Sequence, residues 1–403
     1  MTAFDSSPTL NVSRALIALA VVFVLLATTG WTAVRPQHRP DEPRNAALAA
    51  WEKGRTGPLA LPNADAPPGV LAGFFASISA KRATALADRY PLVVGNLNGA
   101  PVTLRYRANR VALAQARRVE QWRMHDARLS PDGRREAARR MHRFESLLSP
   151  GRQIFAFDPS GRGRVAEVFG DLDRAQRVSV VVPGVDTDLL TFERTQRRFS
   201  APVGMAQSLY AAQRTAAPWT RTAVIAWADY TSPSGLGLDA STGRLATSGA
   251  ARLVAMTGAL PGAARVSLFC HSYGSVVCGV AAPELPQRVG DMAVAGSPGM
   301  RVKSAAQLRT TARVWAMRDS DDWIQDVPYL EVGGLGHGAD PVTPEFGARV
   351  LSAAGAVGHT GYFEPGTESL SNFAEIGVGS YRTVTCAAGN SACRTGISGT
   401  EEV

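Results

Sequence analysis

The sequence predicts an α/β protein built on a mostly parallel β-sheet with helices on both faces, and three observations carry that expectation. After residue 150 the chain runs through short apolar stretches: RVSVVVPG (177–184), TAVIAWAD (222–229), RVSLFCHS (265–272), DMAVAGSPG (291–299), RVWAMRD (313–319) and YLEVGG (329–334). Each is bounded by Gly, Pro or Asp, and helix-length segments separate them, as in strands buried on both faces of a parallel sheet. The polar residues suited to chemistry fall at the ends of these stretches, and in open α/β sheets the carboxyl ends of the strands hold the site.

The elements before residue 150 read differently. Ala15 to Val34 (ALIALAVVFVLLATTGWTAV) is 20 residues without a charge, which matches the roughly 20 residues that cross a bilayer. It is expected to be one transmembrane helix, with Trp31 at an interface and residues 1–14 as a short cytoplasmic tail; a cleaved signal segment is the alternative. Residues 35–69 carry prolines at both ends and read as a spacer with a short helix at 45–51. From 70 to 150 the apolar residues recur at three- and four-residue steps, a helical, arginine-rich region. The sheet-bearing α/β domain, the one with the candidate site, is expected over 151–380, with 381–403 a tail. This organisation puts that domain outside a single-pass cell membrane, or in the medium if the segment is cleaved.

The net charge is +9, and only three basic residues are lysines: Lys53, Lys81 and Lys303. Residues 101–164 contain 15 arginines against six acids, either a solvated helix surface or a face that meets anionic lipid or wall polymers. No nucleic-acid-binding module is present. The four cysteines include no CxxC or Cys/His cluster, so neither a metal nor another cofactor is called for. Cys386 and Cys393 are expected to be bridged, and Cys270 with Cys278 to be either a second bridge or two buried thiols.

Cys270-His271-Ser272-Tyr273-Gly274 sits where an apolar run meets a stretch of small residues, Ser275 to Ala282. This is the strand–turn–helix context of a nucleophile elbow, with Cys in place of the first Gly, and it makes Ser272 the candidate nucleophile. A serine hydroxyl needs a base and the base needs an orienting acid. His359, in a Gly-rich loop before a final helix, fits the order Ser…acid…His, with His337 as alternative. His271 is expected to point away from the substrate side. The acid comes from the 319–322 loop. Asp322 is preferred because Trp323 and Ile324 could pack back and fix it, and Asp319 is the second choice. The amides of Tyr273 and Val185 are the candidate oxyanion hole, Gly184 letting the backbone approach.

Several longer segments, including VSVVVPGVDTDL (178–189), CHSYGS (270–275), GLGHGADP (334–341) and GHTGYFEPGTESLSNFAEI (358–376), carry a family resemblance. With them the chain resembles an actinobacterial α/β-hydrolase family of exported serine-hydrolase-like proteins, long catalogued as a domain of unknown function. The resemblance covers most of 86–380. It implies an α/β-hydrolase fold and a triad of Ser272, an acid in the 319–322 loop and His359; Cys270 departs from the usual glycine. The expected activity is hydrolysis of an ester or related acyl bond in a small or lipid-like substrate, through an acyl-enzyme. A peptidase, or a catalytically silent surface-binding module, is the alternative.

Overall fold

The computed structural model describes residues 42–387 and 391–397. The apolar stretch 15–34 lies outside them, and among the described residues no helix is long and apolar enough to cross a membrane.

The sheet has eight strands: β1 Gln153–Asp158, β2 Arg164–Gly170, β3 Arg177–Val182, β4 Thr222–Ala228, β5 Arg265–His271, β6 Val289–Ala295, β7 Arg313–Met317 and β8 Arg349–Val350. Their spatial order is β1-β2-β4-β3-β5-β6-β7-β8. β2 alone runs opposite to the other seven strands. Every residue of β3 and β4 is buried, which is why these strands read as continuous apolar runs rather than alternating ones.

The long helices are α1 Glu42–Glu52, α2 Pro68–Ser77, α3 Ala80–Arg89, α4 Val102–Arg123, α5 Pro131–Leu147, α6 Pro202–Ala216, α7 Arg244–Gly258, α8 Tyr273–Ala281 and α9 Glu368–Val378. On one face Leu113, Phe144, Leu209 and Phe373 from α4, α5, α6 and α9 pack with Val181 and Phe269 of the sheet. On the other face Leu253, Val276 and Val277 from α7 and α8 pack with Val180 and Leu268.

The chain leaves β3 for β4 on one side and then returns across β3 to β5 on the other. That reversal opens a crevice at the carboxyl ends of β3 and β5, the place where such sheets bind ligands. The segments that follow these two strands, Pro183 to Val185 and Ser272, meet there.

Three expectations need correction. The 329–334 run is not a sheet strand; Glu331–Val332 pairs with Leu335–Gly336 in a separate exposed ribbon. Gly333 and Gly334, both at positive φ, turn the chain back on itself there. The last sheet strand is instead the two-residue β8. The β1–β2 hairpin went unread as strands because charged residues such as Glu167 interrupt its apolar pattern; Glu167 is buried against Arg152. The 35–69 stretch is folded from residue 42 onward, since Trp51 and Leu61 join Leu71, Phe75 and Leu86 in a third apolar cluster.

The arginine-rich region is largely neutralised internally. Of the 15 arginines of 101–164, only Arg105, Arg110, Arg118 and Arg134 lack a carboxylate partner among the described residues. Arg105 is buried, its guanidinium over the Phe155 ring at 3.6 Å from the centroid.

Candidate active site

Ser272 ends β5 and opens α8 with φ 54° and ψ −128°, a left-handed conformation that costs a non-glycine residue on the order of 1–3 kcal/mol. Several contacts hold it there. The Ser272 N–H donates to the Ala295 carbonyl at 3.0 Å, carrying the β5–β6 pairing one residue past the strand. The next helix must start hard against β3, and Gly274 permits this: a Cβ there would lie 2.2 Å from the Val182 oxygen and 2.8 Å from that of Pro183. A Cβ on Gly184 would likewise lie 2.6 Å from the Ser272 Cβ, so the β3 loop lies directly on the serine. Gly274→Ala is therefore expected to push α8 off β3. It should cost about 3 kcal/mol by overpacking against backbone that cannot yield, measurable as a lower urea midpoint.

Strand alternation sends the residues before the serine to opposite faces. Cys270 faces α8 and is bonded to Cys278, with Cα atoms 6.5 Å apart. Cys386 and Cys393 form the second bridge. Of the two readings of Cys270 and Cys278, the bridge is the one present, tying the strand end to the helix on either side of Ser272.

The Ser272 hydroxyl lies 2.8 Å from His359 Nε2. His359 Nδ1 lies 2.8 Å and 3.1 Å from the two Asp322 carboxylate oxygens. With the imidazole neutral, Nδ1–H donates to the carboxylate and Nε2 is left to accept the serine proton. Asp322 is fully buried and also accepts from the Ile324 N–H at 2.9 Å and the Tyr362 hydroxyl at 2.5 Å. Burial alone would raise its carboxyl pKa. The bonds from His359, Tyr362 and Ile324 outweigh burial and hold it below the ordinary carboxylate range.

The other candidates are placed apart from this chain of bonds. Asp319 accepts the Gly358 N–H at 2.8 Å and so holds the loop that carries His359. His337 is buried, donates from Nε2 to the Ala240 carbonyl at 2.6 Å, and packs edge-on against the Tyr273 ring. Trp323 does not pack behind Asp322; its half-exposed ring lies against His359. Tyr362 carries no signal in the sequence, because nothing there pairs residues 322 and 362.

His271 differs from expectation. It shares its face with Phe269, so its ring turns toward the 358–363 turn, 4.9 Å from the His359 ring. There it lines the same cleft as Ser272. Its Nε2–H donates to the His359 carbonyl at 2.6 Å. Burial, then the nearby His359, pushes its pKa down to about 3. The folded protein thus keeps His271 neutral while the unfolded chain takes up a proton below about pH 6.5. This contribution to stability is present above about pH 6.5 and lost as pH falls toward 3. Urea midpoints should fall across that window, and His271→Gln should flatten the slope; an unchanged slope would contradict the assignment.

The cleft over Ser272 has a volume of about 180 Å³. Val185, Thr187, Thr191, Arg194, Met205 and Thr360 are among its walls.

A strand–elbow–helix serine on a sheet of this order is the arrangement of the α/β-hydrolases. Residues 158–332 match the family model described as alpha/beta hydrolase. An uncharacterized protein of Mycobacterium tuberculosis, found in two strains, is 26% identical over 391 aligned positions covering 80% of this chain. The chain spans 57% of the length of these curated relatives. Among solved structures it is similar to a dienelactone hydrolase from Anabaena variabilis, at TM-score 0.27 and 17% identity, over 40% of this chain and 69% of that one. It is also similar to a putative carboxylesterase from Lactobacillus plantarum, at TM-score 0.26 and 12% identity, over 44% and 79%.

Proposed function

We propose that this protein is a serine hydrolase that cleaves an ester or related acyl bond through Ser272, His359 and Asp322. The observation that carries the reading is the continuous chain of hydrogen bonds from the Ser272 hydroxyl through His359 to the buried Asp322. In this reading the Ser272 oxygen attacks the acyl carbon as His359 Nε2 takes its proton. Asp322 stays ionised and stabilises the imidazolium that forms. His359 then protonates the departing alkoxide, which leaves an acyl-Ser272 intermediate. A water deprotonated by His359 attacks that intermediate and releases the acid.

The developing oxyanion is assigned to the amides of Tyr273 and Val185. Tyr273 is the first residue of α8, so its N–H has no carbonyl within the helix to bond. Val185 belongs to the β3 loop that lies on the serine. The test is a panel of 4-nitrophenyl esters of rising acyl length beside a peptide panel. Turnover of short esters supports the reading, and cleavage of peptides alone overturns the ester assignment.

A further inference from the structure

We infer that the substrate is an ester carrying a negative charge, and that Arg194 is the residue that selects it; this rests on the hydrolase reading above. The cleft is small for a long acyl chain, and Thr187, Thr191, Ser200 and Thr360 are among its lining residues. Arg194 is the one arginine or lysine in that wall among the described residues. Its guanidinium has no carboxylate and no hydrogen-bond acceptor there.

None of the neighbouring carboxylates pairs with it. Glu193 binds Arg143 at 2.9 Å and Arg152 at 2.8 Å. Asp188 binds Arg162 at 2.8 Å. Asp186, the carboxylate in the cleft wall, forms no ion pair with Arg194; it accepts the Gly235 N–H, a neutral donor, at 2.7 Å. Arg194 also lines an adjoining open groove of about 620 Å³, where Arg197 is a second guanidinium without a carboxylate partner among the described residues. Two guanidiniums without a carboxylate partner, Arg194 and Arg197, thus stand beside the cleft, against the one carboxylate in its wall, Asp186. An anionic substituent reaching from the scissile ester toward that groove would complete the pairing, and a planar guanidinium accepts a carboxylate in two parallel bonds.

The experiment compares two matched pairs on the full-length protein at low salt. One pair is mono-(4-nitrophenyl) glutarate against 4-nitrophenyl pentanoate, with the charge on the acyl side. The other is 4-acetoxybenzoate against its methyl ester, with the charge on the alcohol side. In at least one pair the anionic member should be preferred about tenfold or more in kcat/KM, chiefly through KM. The preference should shrink as salt rises. Arg194→Gln should bring the ratio near one and Arg194→Lys restore part of it, while Arg118→Gln, an exposed arginine on α4, keeps the full preference. The inference is overturned if the neutral member is used as well or better in both pairs, or if Arg194→Gln leaves the ratio unchanged. Turnover of the neutral esters without any charge preference would sink this inference and leave the hydrolase reading standing. Turnover of none of the four overturns both.

Discussion

Ser272→Ala is expected to lower kcat by about 10⁴–10⁶-fold, and His359→Ala by nearly as much, with the double variant scarcely worse than either single one. The non-additivity follows from the geometry. The hydroxyl and the imidazole share one hydrogen bond of 2.8 Å, so each is of use only through the other: without His359 nothing takes the proton, and without Ser272 there is nothing to activate. Alanine replaces serine at the elbow without adding an atom, so thermal unfolding of Ser272→Ala should match the wild type. His337→Ala should be mild, because His337 binds Ala240 and not the serine. Steady-state rates on a short nitrophenyl ester, with unfolding curves beside them, check all four variants. A strong loss in His337→Ala with little in His359→Ala would reverse the assignment.

Asp322→Asn should cost on the order of 10⁴-fold in kcat. The carboxylate accepts three bonds, from His359, Tyr362 and the Ile324 amide. An amide in its place presents one N–H₂ group to donors that already fill the site. To avoid that clash His359 must move its proton to Nε2, the nitrogen that has to accept from Ser272. Asp319→Asn should cost far less, since Asp319 supports the loop through Gly358 and does not touch the imidazole. Tyr362→Phe should fall between them, because it removes one of the bonds that keep Asp322 ionised in a buried place. Equal loss from the two aspartate variants would show that loop position, not the tautomer, is what the acid provides.

How far the site could be read in advance depended on the range of the interactions involved. The elbow is local: strand, serine, Gly274 and a small-residue helix all lie within a few residues, and the steric need is visible in their sizes. The apolar residues after Asp322 point to it in the sequence, but what fixes it is the Ile324 backbone amide and a hydroxyl forty positions away. The first is a local turn bond hidden behind a side-chain argument. The second exists only once the 358–363 turn is folded against the 319–322 loop. The place of His271 is hidden in the sequence for a related reason. Its direction is set by alternation from Phe269, yet what it meets there is a loop from the other end of the domain.

The strands followed the same division. β3 through β7 are legible because burial on both faces leaves mostly apolar runs. β1 and β2 form an antiparallel hairpin at one edge and carry charges paired in three dimensions, while β8 is two residues long and has no pattern to read.

The most direct measurement is labelling of the full-length protein with a fluorophosphonate, which reacts with an activated serine and not with an ordinary one. If His359 activates Ser272, labelling is stoichiometric and confined to the peptide that contains Ser272. Ser272→Ala should then take up no label, and His359→Ala should react more slowly by orders of magnitude. An unlabelled wild-type protein, or labelling that persists undiminished in Ser272→Ala, would contradict the assignment of Ser272 as nucleophile.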